Sequence, residues 1–359
     1  MIATAGPRWS ECRYRTAKAD CNARYGRVSA TGSGCRYRAA MARQTVFKKS
    51  AGKVRGGPTK EIDGMKQNRL VNVLFLTPSV FAFVMIMIIP FLFGLYYSMT
   101  DWNGVSNAVN FVGFKNFRNL FSAPDFLYSF LITIAYTVIN IVLVNAVSFI
   151  LSLIVTSKLK RRNFYRAGFF VPYLIGGIVL GYIWQFILNS IAVGVGNSLS
   201  IEFLQTSFLS KPDSVIWAMS AVNTWQYAGY IMLIYVASIQ SIPSSLMEAA
   251  SVDGASYISR VFHILIPMMA NAFTISLFLT LTTSFKQFDM NFTLTNGGPA
   301  TRFLDTPVKA SQLLAMNIFN TATANRMAEA QAKAVVLFVA LVIVSLVQVS
   351  VNKKKEVEM

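Results

Sequence analysis

Long runs without a charged residue alternate with short polar segments along most of this chain. Six of these runs are long enough to cross a bilayer, because a transmembrane helix needs about 20 predominantly apolar residues. They occupy residues 70–100, 126–157, 167–201, 214–247, 261–285 and 334–352. The pattern therefore predicts an all-α, polytopic membrane protein with six transmembrane helices and with both termini on one side of the membrane.

The composition of the chain agrees with that architecture. Its 359 residues are 54% hydrophobic and only 13% charged, which is outside the usual range of soluble domains. Prolines lie inside or beside the runs, at positions 78, 90, 172 and 267. They predict kinked helices, in which neighbouring helices satisfy the freed backbone groups.

Basic residues distinguish the two sides of the membrane, since cytoplasmic loops carry the excess of Lys and Arg. The connection between the second and third runs contains Lys158, Lys160, Arg161, Arg162 and Arg166, and three lysines at 353–355 follow the sixth run. The opposite connections hold fewer basic residues for their length, with Lys333 assigned to the last of them. Both termini are therefore expected in the cytoplasm. The net charge of +18 reflects this arrangement and does not indicate nucleic-acid binding.

The first 40 residues differ in composition from the rest of the chain. They contain seven Arg and one Lys, and they hold all three cysteines, at positions 12, 21 and 35, whose spacing matches neither a zinc site nor a closed disulfide set. We expect residues 1–69 to be a basic, disordered cytoplasmic segment, in which 1–40 is translated upstream sequence before a start at Met41 or Met65. A transit peptide is the alternative. Residues 353–359 form a short tail.

The connection between the fourth and fifth runs holds the sharpest motif. It reads Glu248-Ala249-Ala250-Ser251-Val252-Asp253-Gly254-Ala255 and ends at Ile266-Pro267. Ser244 or Ser245 is expected to cap a helix with Glu248 in its first turn, where the helix dipole favours an anion. Gly254 permits a backbone conformation that other residues avoid, and the small alanines let a partner approach closely.

This motif resembles the EAA loop of the membrane subunits of bacterial ABC importers, a cytoplasmic segment that docks onto the ATPase subunit. The resemblance implies a coupling loop at 243–267. Its coupling residues would be Glu248, Ala249, Ala250, Asp253, Gly254, Ala255 and Pro267. The charge distribution independently places this loop in the cytoplasm. An amphipathic connector between two spans is the alternative interpretation.

Other segments resemble the carbohydrate importer permeases of the maltose and glycerol-3-phosphate type. Thr100-Asp101-Trp102 closes the first run, residues 111–121 resemble the first external loop, and Leu294-Thr295-Asn296-Gly297-Gly298-Pro299 resembles the turn after the fifth span. The resemblance covers residues 70–352 and implies the type I ABC importer permease fold. It also implies three partners: a second permease subunit, a cytoplasmic ATP-binding subunit dimer and an external solute-binding protein.

A carbohydrate site needs aromatic faces beside amides and hydroxyls, because a sugar presents both C–H faces and hydroxyl groups. By motif alignment with the maltose-type permeases, the substrate-binding residues would be Asn223, Trp225, Tyr230, Ser284 and Gln287. Trp225 and Tyr230 would stack on the sugar, and the other three would bond its hydroxyls. Alternatively, the aromatic residues form an interfacial belt and the polar residues hold helices together.

The sequence contains no pattern that indicates a catalytic site. His263 is the only histidine, so that neither a metal site, a cofactor site nor a Cys/His nucleophile is expected. No G-x-x-x-x-G-K-[ST] loop is present, and ATP hydrolysis is therefore expected on a partner chain. A secondary, ion-coupled transporter is the alternative function. Such a protein would carry ionisable residues within its spans, and all six runs lack Asp, Glu, Lys and Arg.

Deleting residues 1–40 should change neither membrane insertion nor transport, because no apolar face and no closed cysteine set ties this segment to the fold. The measurement compares insertion and solute uptake of the full chain with a chain that starts at Met41. Loss of insertion in the shorter chain would show that the segment is a targeting element.

Overall fold

The computed structural model describes residues 69–157 and 160–353. The chain divides into two compact units, Met1–Ala82 and Phe83–Met359. In the first unit, the described part belongs to the helix Arg69–Phe83. The predictions for residues 1–68, including the three cysteines and the alternative starts, lie outside the described residues, as does the tail after 353.

Six helical regions coincide with the six predicted runs. Four are single stretches that are long and apolar enough to cross a membrane: Phe75–Tyr97, Pro124–Thr156, Gly177–Leu199 and Met327–Asn352. Two further regions are bent pairs, Pro212–Ser241 with Ser244–Val252 at 70°, and Tyr257–Met268 with Ala270–Phe285 at 72°. The described chain thus holds four spans, or six if each bent pair is one span. We number six spans in chain order, and the all-helical, polytopic fold is confirmed.

Several spans are assembled from shorter pieces. The first span consists of Arg69–Phe83, the π-helical turn Val84–Ile88 and Ile89–Tyr97. The third span consists of Gly177–Phe186, the π-helical turn Ile187–Ile191 and Ala192–Leu199. The fifth span consists of Tyr257–Arg260, the π-helical turn Val261–Leu265, Ile266–Met268 and Ala270–Phe285. Shorter helices are Lys115–Ser122, Arg162–Phe170, the 3₁₀ turns Val171–Leu174 and Glu202–Leu204, a cavity helix Asp289–Leu294 and a connecting helix Leu314–Thr323.

Two predicted boundaries were wrong. The third crossing helix begins at Gly177 and not near 167, because Pro172 lies in a 3₁₀ turn and Ile175 is extended. The sixth helix begins at Met327 and not at 334, so that Lys333 lies within the helix and not in a connection between spans. The side chain of Lys333 is buried, and its ammonium group donates hydrogen bonds to Asn317 and Thr321 of a neighbouring helix.

The second span, Pro124–Thr156, carries a stripe of buried polar side chains along one face. Its members follow one another at intervals of three to five residues: Ser129, Thr133, Thr137, Asn140, Asn145, Ser148 and Ser152. The hydroxyl of Thr133 donates to the carbonyl oxygen of Ser129 at 2.6 Å, one turn earlier, and accepts from the Leu314 N–H of the connecting helix at 2.8 Å. The asparagine amides reach other helices. In lipid, burial of apolar surface gives no preference for one neighbouring helix over another, and such polar contacts therefore determine which helices pack together.

Two polar clusters join the second span to its neighbours. In one, Asn223 Nδ2 on the fourth span donates to Asn140 Oδ1 at 2.7 Å, and Asn140 Nδ2 donates to Ser220 Oγ at 3.3 Å. In the other, which we call the Tyr235 cluster, Asn145 Nδ2 donates to Thr280 Oγ1 of the fifth span at 3.3 Å. The hydroxyl of Tyr235, on the fourth span, donates to Asn145 Oδ1 at 2.7 Å and lies 2.6 Å from Ser276 Oγ. Three spans thus meet at one tyrosine hydroxyl.

A small layer of loops covers one end of the helices. Strands β1 (Ala300–Phe303) and β2 (Thr306–Lys309) pair antiparallel with Ala300 opposite Lys309, where the sequence predicted only a turn.

In the loop after the first span, the Asp101 carboxylate accepts hydrogen bonds from the side chain and backbone of Asn110. These bonds lower the pKa of Asp101.

Candidate functional site

The predicted coupling loop is a helix followed by a sharp reversal. The helix, Ser244–Val252, is called the docking helix here. Pro243 is its N-cap residue and no side chain caps it, so the predicted serine cap was wrong. Glu248 lies beyond the first turn, which holds no acidic residue, because the helix begins at Ser244. The carboxylate of Glu248 therefore does not stabilise the start of its own helix, and because it is exposed it is accessible to another protein.

Gly254 ends the docking helix in the left-handed conformation. Its φ is 80°, the Gly254 N–H donates to Ser251 O at 3.3 Å, and the Ala255 N–H donates to Ala250 O at 2.9 Å. This pair of bonds is the Schellman arrangement, which favours glycine because a side chain is strained at positive φ. Apart from its two chain neighbours, no atom of the described residues lies within 4 Å of a Cβ atom built at Gly254. The surface beside Gly254 is thus open to a partner.

The second arm of the loop returns into the fifth span. Ser256 Oγ accepts from the Ser259 N–H at 3.2 Å and caps Tyr257–Arg260. Arg260 Nη1 donates to Met247 O at 3.4 Å and ties this arm to the docking helix. Pro267 lies just before the 72° bend and therefore marks the turn into the membrane-spanning helix, as predicted.

The loop presents large apolar side chains that the sequence analysis did not select. They are Leu246, Val252, Ile258 and Phe262, and Val252 is 87% exposed. Among the predicted coupling residues, Glu248, Ala249, Asp253 and Gly254 are exposed, and Ala250 and Ala255 are half-buried. An exposed apolar surface with two carboxylates, those of Glu248 and Asp253, is suited to a protein partner. No signal in the sequence separates these four residues from other large apolar residues of the loop, such as Met247, Val261 and Leu265.

A polar cavity of about 330 Å³ lies between the third, fourth and fifth spans. It is lined by Gly177, Gln226, Tyr227, Thr282, Thr283, Lys286, Gln287, Phe288 and Asp289. The fifth span ends at Phe285 and the cavity helix begins at Asp289, so the lining includes a non-helical backbone segment. Irregular backbone between membrane-spanning helices is tolerated where it lines a polar cavity. The cavity therefore has the properties of a solute site.

Gly181 allows the cavity helix to approach the third span. A Cβ atom at this position would lie 2.8 Å from the Cβ of Thr293 and 3.2 Å from the backbone nitrogen of Leu294. Gln185 Nε2, one turn further along the third span, donates to Leu294 O at 3.2 Å and satisfies the end of the cavity helix. These two contacts fix the wall that carries Phe288 and Asp289.

The structure brings only one of the five predicted substrate residues to the cavity. Gln287 lines it and is 9% exposed. Asn223 is buried against Asn140, and Ser284 is buried with no partner for its hydroxyl among the described residues. Trp225 packs edge-on against Trp184 at 5.5 Å and is 45% exposed, and Tyr230 stacks on Tyr173 at 4.5 Å. None of these four residues lines the cavity.

Phe288 is an aromatic residue that lines the cavity, whereas Trp225 and Tyr230 do not line it. Phe288 lines the cavity beside Gln287 and packs against Phe292 at 5.6 Å and Phe319 at 5.0 Å between ring centroids. Phe292 and Phe319 are 37% and 40% exposed. A wall of three phenylalanines thus continues from the polar cavity. In the sequence, Phe288 directly follows Gln287, and Phe292 comes four residues later, which is about one helical turn.

Comparison with known protein families decides the class of this chain. The family model described as binding-protein-dependent transport system inner membrane component matches residues 67–356. The chain belongs to this family. It is a permease component of an ABC importer system, and the predicted membership in the carbohydrate ABC importer permeases is confirmed. In this family the permease is not the ATPase, which is a separate subunit.

The permease is similar to several curated proteins along most of its length. The probable starch degradation products transport system permease protein of Thermoanaerobacterium thermosulfurigenes is 40% identical over 287 residues, which are 80% of this chain and 95% of that protein. The multiple sugar-binding transport system permease protein of Streptococcus mutans is 29% identical over 291 residues, 81% of this chain and 98% of that protein. The sn-glycerol-3-phosphate transport system permease protein of Agrobacterium fabrum is 26% identical over 290 residues, 80% of this chain and 96% of that protein.

The fold of the permease is similar to that of a solved transporter. A chain in the crystal structure of a bacterial ABC transporter for import of the acidic polysaccharide alginate superposes with a TM-score of 0.67 at 19% identity, covering 81% of this chain and 97% of that chain. At this identity the similarity shows the fold alone.

Among the described residues of the permease, no group of three or more His, Cys, Asp or Glu could hold a metal ion.

Gly254→Asp should abolish solute uptake while the permease still inserts into the membrane. The new side chain is strained at a φ of 80° and places a charge on the open surface beside the docking helix. Gly254→Asn is the matched control, because asparagine has a similar shape, adopts a positive φ about as readily as aspartate and carries no charge. It should retain part of the uptake. Glu248→Ala should reduce uptake less severely. Wild-type uptake by Gly254→Asp would contradict a docking role for this surface.

Proposed function

We propose that this permease imports a carbohydrate by alternating access, as one half of a heterodimer with a second permease subunit. A dimer of ATP-binding subunits docks on the loop 243–267, and a solute-binding protein delivers the sugar from outside. Both termini are cytoplasmic in this proposal, and the β1–β2 layer faces the exterior. The supporting observation is the similarity, at 40% identity, to a permease named for starch degradation products, together with a cavity whose lining suits a sugar.

The cavity lining offers the groups that a sugar needs. Gln226, Gln287 and Thr283 carry amides and hydroxyls that can donate to and accept from sugar hydroxyls. Phe288 offers a flat apolar face for the C–H side of a ring. Lys286 and Asp289 are exposed, one of each sign, so the lining carries no net charge and does not select for a strongly ionic solute.

The Tyr235 cluster connects the docking surface with this cavity. Along the fourth span, Tyr235 lies between the cavity residue Gln226 and the docking helix. Along the fifth span, Ser276 and Thr280 lie between Pro267 and the cavity residue Thr283. Hydrogen bonds hold these residues and Asn145 together. A displacement of the docking helix by the ATPase would therefore carry the second, fourth and fifth spans as one body, and the cavity wall with them.

Purification and uptake together test this proposal. The tagged permease should bring a second permease subunit and an ATPase with it, whereas a secondary transporter would be purified alone. In proteoliposomes the purified complex should import labelled sugars from a panel of mono-, di- and oligosaccharides and glycerol phosphate when ATP and the cognate binding protein are supplied. Uptake by the permease alone, driven by an ion gradient, would contradict the proposal.

Variants of the cavity identify the groups that contact the sugar. Gln287→Ala and Phe288→Ala should each raise the sugar concentration for half-maximal uptake, the first by the loss of a hydrogen bond of about 1 kcal/mol and the second by the loss of an aromatic contact of similar size. For Asn223 and Trp225, the substrate-binding hypothesis competes with their packing contacts. If both Gln287→Ala and Phe288→Ala keep the wild-type value while Trp225→Ala raises it, the site lies on the Trp225 side and not in this cavity.

A further inference from the structure

Lys333 is a lysine with almost no exposure to solvent, 1% of its surface, in the first turns of the sixth span. Its Nζ donates to Asn317 Oδ1 at 2.7 Å and to Thr321 Oγ1 at 2.8 Å, both on the connecting helix. Glu329 Oε1, one turn earlier on its own helix, lies at 3.2 Å. An ammonium group has three N–H donors, and three acceptors within 3.2 Å therefore occupy all of them.

The Lys333 site joins three helices. Asp125 Oδ2, at the start of the second span, lies 3.7 Å from Lys333 Nζ. Asn317 presents its oxygen to the lysine, and its Nδ2 donates to Ser129 Oγ of the second span at 3.1 Å. The connecting helix is thus held against the second and sixth spans through one charged group. Burying such a charge is costly without partners of this quality, and its presence calls for a reason beyond filling space.

The connecting helix has two faces with different contacts. Asn317 and Thr321 are one turn apart and are buried towards Lys333. Phe319 lies on the opposite side of the helix, since successive residues are about 100° apart. It packs against Phe288 at 5.0 Å and Phe292 at 5.7 Å. One helix therefore links the buried ammonium group to the phenylalanine wall of the cavity.

We propose that Lys333 is a positioning residue for the substrate site: it fixes the connecting helix so that Phe319 holds Phe288 and Phe292 in place beside the polar cavity. The proposal rests on the proposed function, and it assigns to Lys333 an effect on apparent sugar affinity and not on docking of the ATPase. Lys333 itself contacts no cavity residue, and it acts through the helix that carries Phe319.

A double-mutant cycle in the reconstituted complex tests this inference. Lys333→Met and Phe319→Ala should each raise the sugar concentration for half-maximal uptake by roughly fivefold, the loss that corresponds to one aromatic contact. The maximal rate per assembled complex should change much less. The double variant should be no worse than the poorer single variant, because both changes act through the same contact. Lys309→Met is the control, since Lys309 is an exposed lysine in the same connection and its ammonium group, among the described residues, donates to the Asn296 carbonyl oxygen at 3.3 Å.

Two results would overturn the inference. The first is a Lys333→Met variant that lowers only the yield of complex, while the surviving complex keeps the wild-type half-saturation concentration. The second is a double variant whose loss is the product of the two single losses. If Lys333→Met yields no complex, Thr321→Val decides in the same way, because it removes one acceptor and keeps the lysine. It should raise the half-saturation concentration by a smaller factor, and an unchanged value would overturn the inference.

Amide exchange separates this inference from the proposed function. Residues 314–323 should exchange faster in Lys333→Met than in Lys309→Met, whether or not the complex imports any sugar of the panel. Absence of sugar uptake by the wild-type complex, with faster exchange in Lys333→Met, would contradict the proposed function alone. Equal exchange in the two lysine variants would contradict the positioning role of Lys333.

Discussion

The polar face of the second span is the constraint on which the rest of the second unit depends. In lipid, apolar side chains give no preference for one helix neighbour over another, and polar contacts between helices contribute only about 0.6 kcal/mol each on average. Five such contacts join the second span to the fourth and fifth, through Asn140, Asn145 and Ser148. Together they contribute about 3 kcal/mol, which is modest as stability. Their larger effect is to fix which faces meet, because any rotation of a helix about its axis would leave buried amides without partners.

The bends in the fourth and fifth regions lie on one side of that centre, and each is next to a proline, Pro243 or Pro267. Both helices leave the Tyr235 cluster towards the docking surface, and both break there, at 70° and 72°. On the other side of the cluster, the fifth span stops at Phe285 and the chain turns around the cavity. Under the proposed function, the continuous helices at this centre would carry a displacement of the docking helix to the cavity wall. Gly254 and Gly181 serve this arrangement in different ways, one by its positive φ and the other by close approach.

The sequence predicted the spans and the coupling loop because both are signals along the chain: runs without charge, and a motif of fixed spacing. It could not predict which way each helix faces, since a helix that is apolar on all sides has no polar side to mark its orientation. For that reason the predicted set mixed Gln287, which lines the cavity, with Trp225, which packs on Trp184. Lys333 was expected in a loop because the predicted span was a run without charged residues, and two of its partners, Asn317 and Thr321, lie on another helix, where no local pattern shows them. The polar stripe of the second span was visible in the sequence as Ser, Thr and Asn at helical intervals.

The most direct measurement of this account is the number of sugar molecules imported per ATP hydrolysed by a Tyr235→Phe complex in proteoliposomes. This change removes only the hydroxyl that joins Asn145 and Ser276, and keeps the ring packed against Phe149 and Phe273. Tyr182→Phe, at a position that is 58% exposed, is the matched control. The account predicts that Tyr235→Phe assembles with its partners and hydrolyses ATP but imports severalfold less sugar per ATP, whereas the control keeps the wild-type ratio. A wild-type ratio in Tyr235→Phe would show that the cluster does not transmit the motion of the docking helix to the cavity.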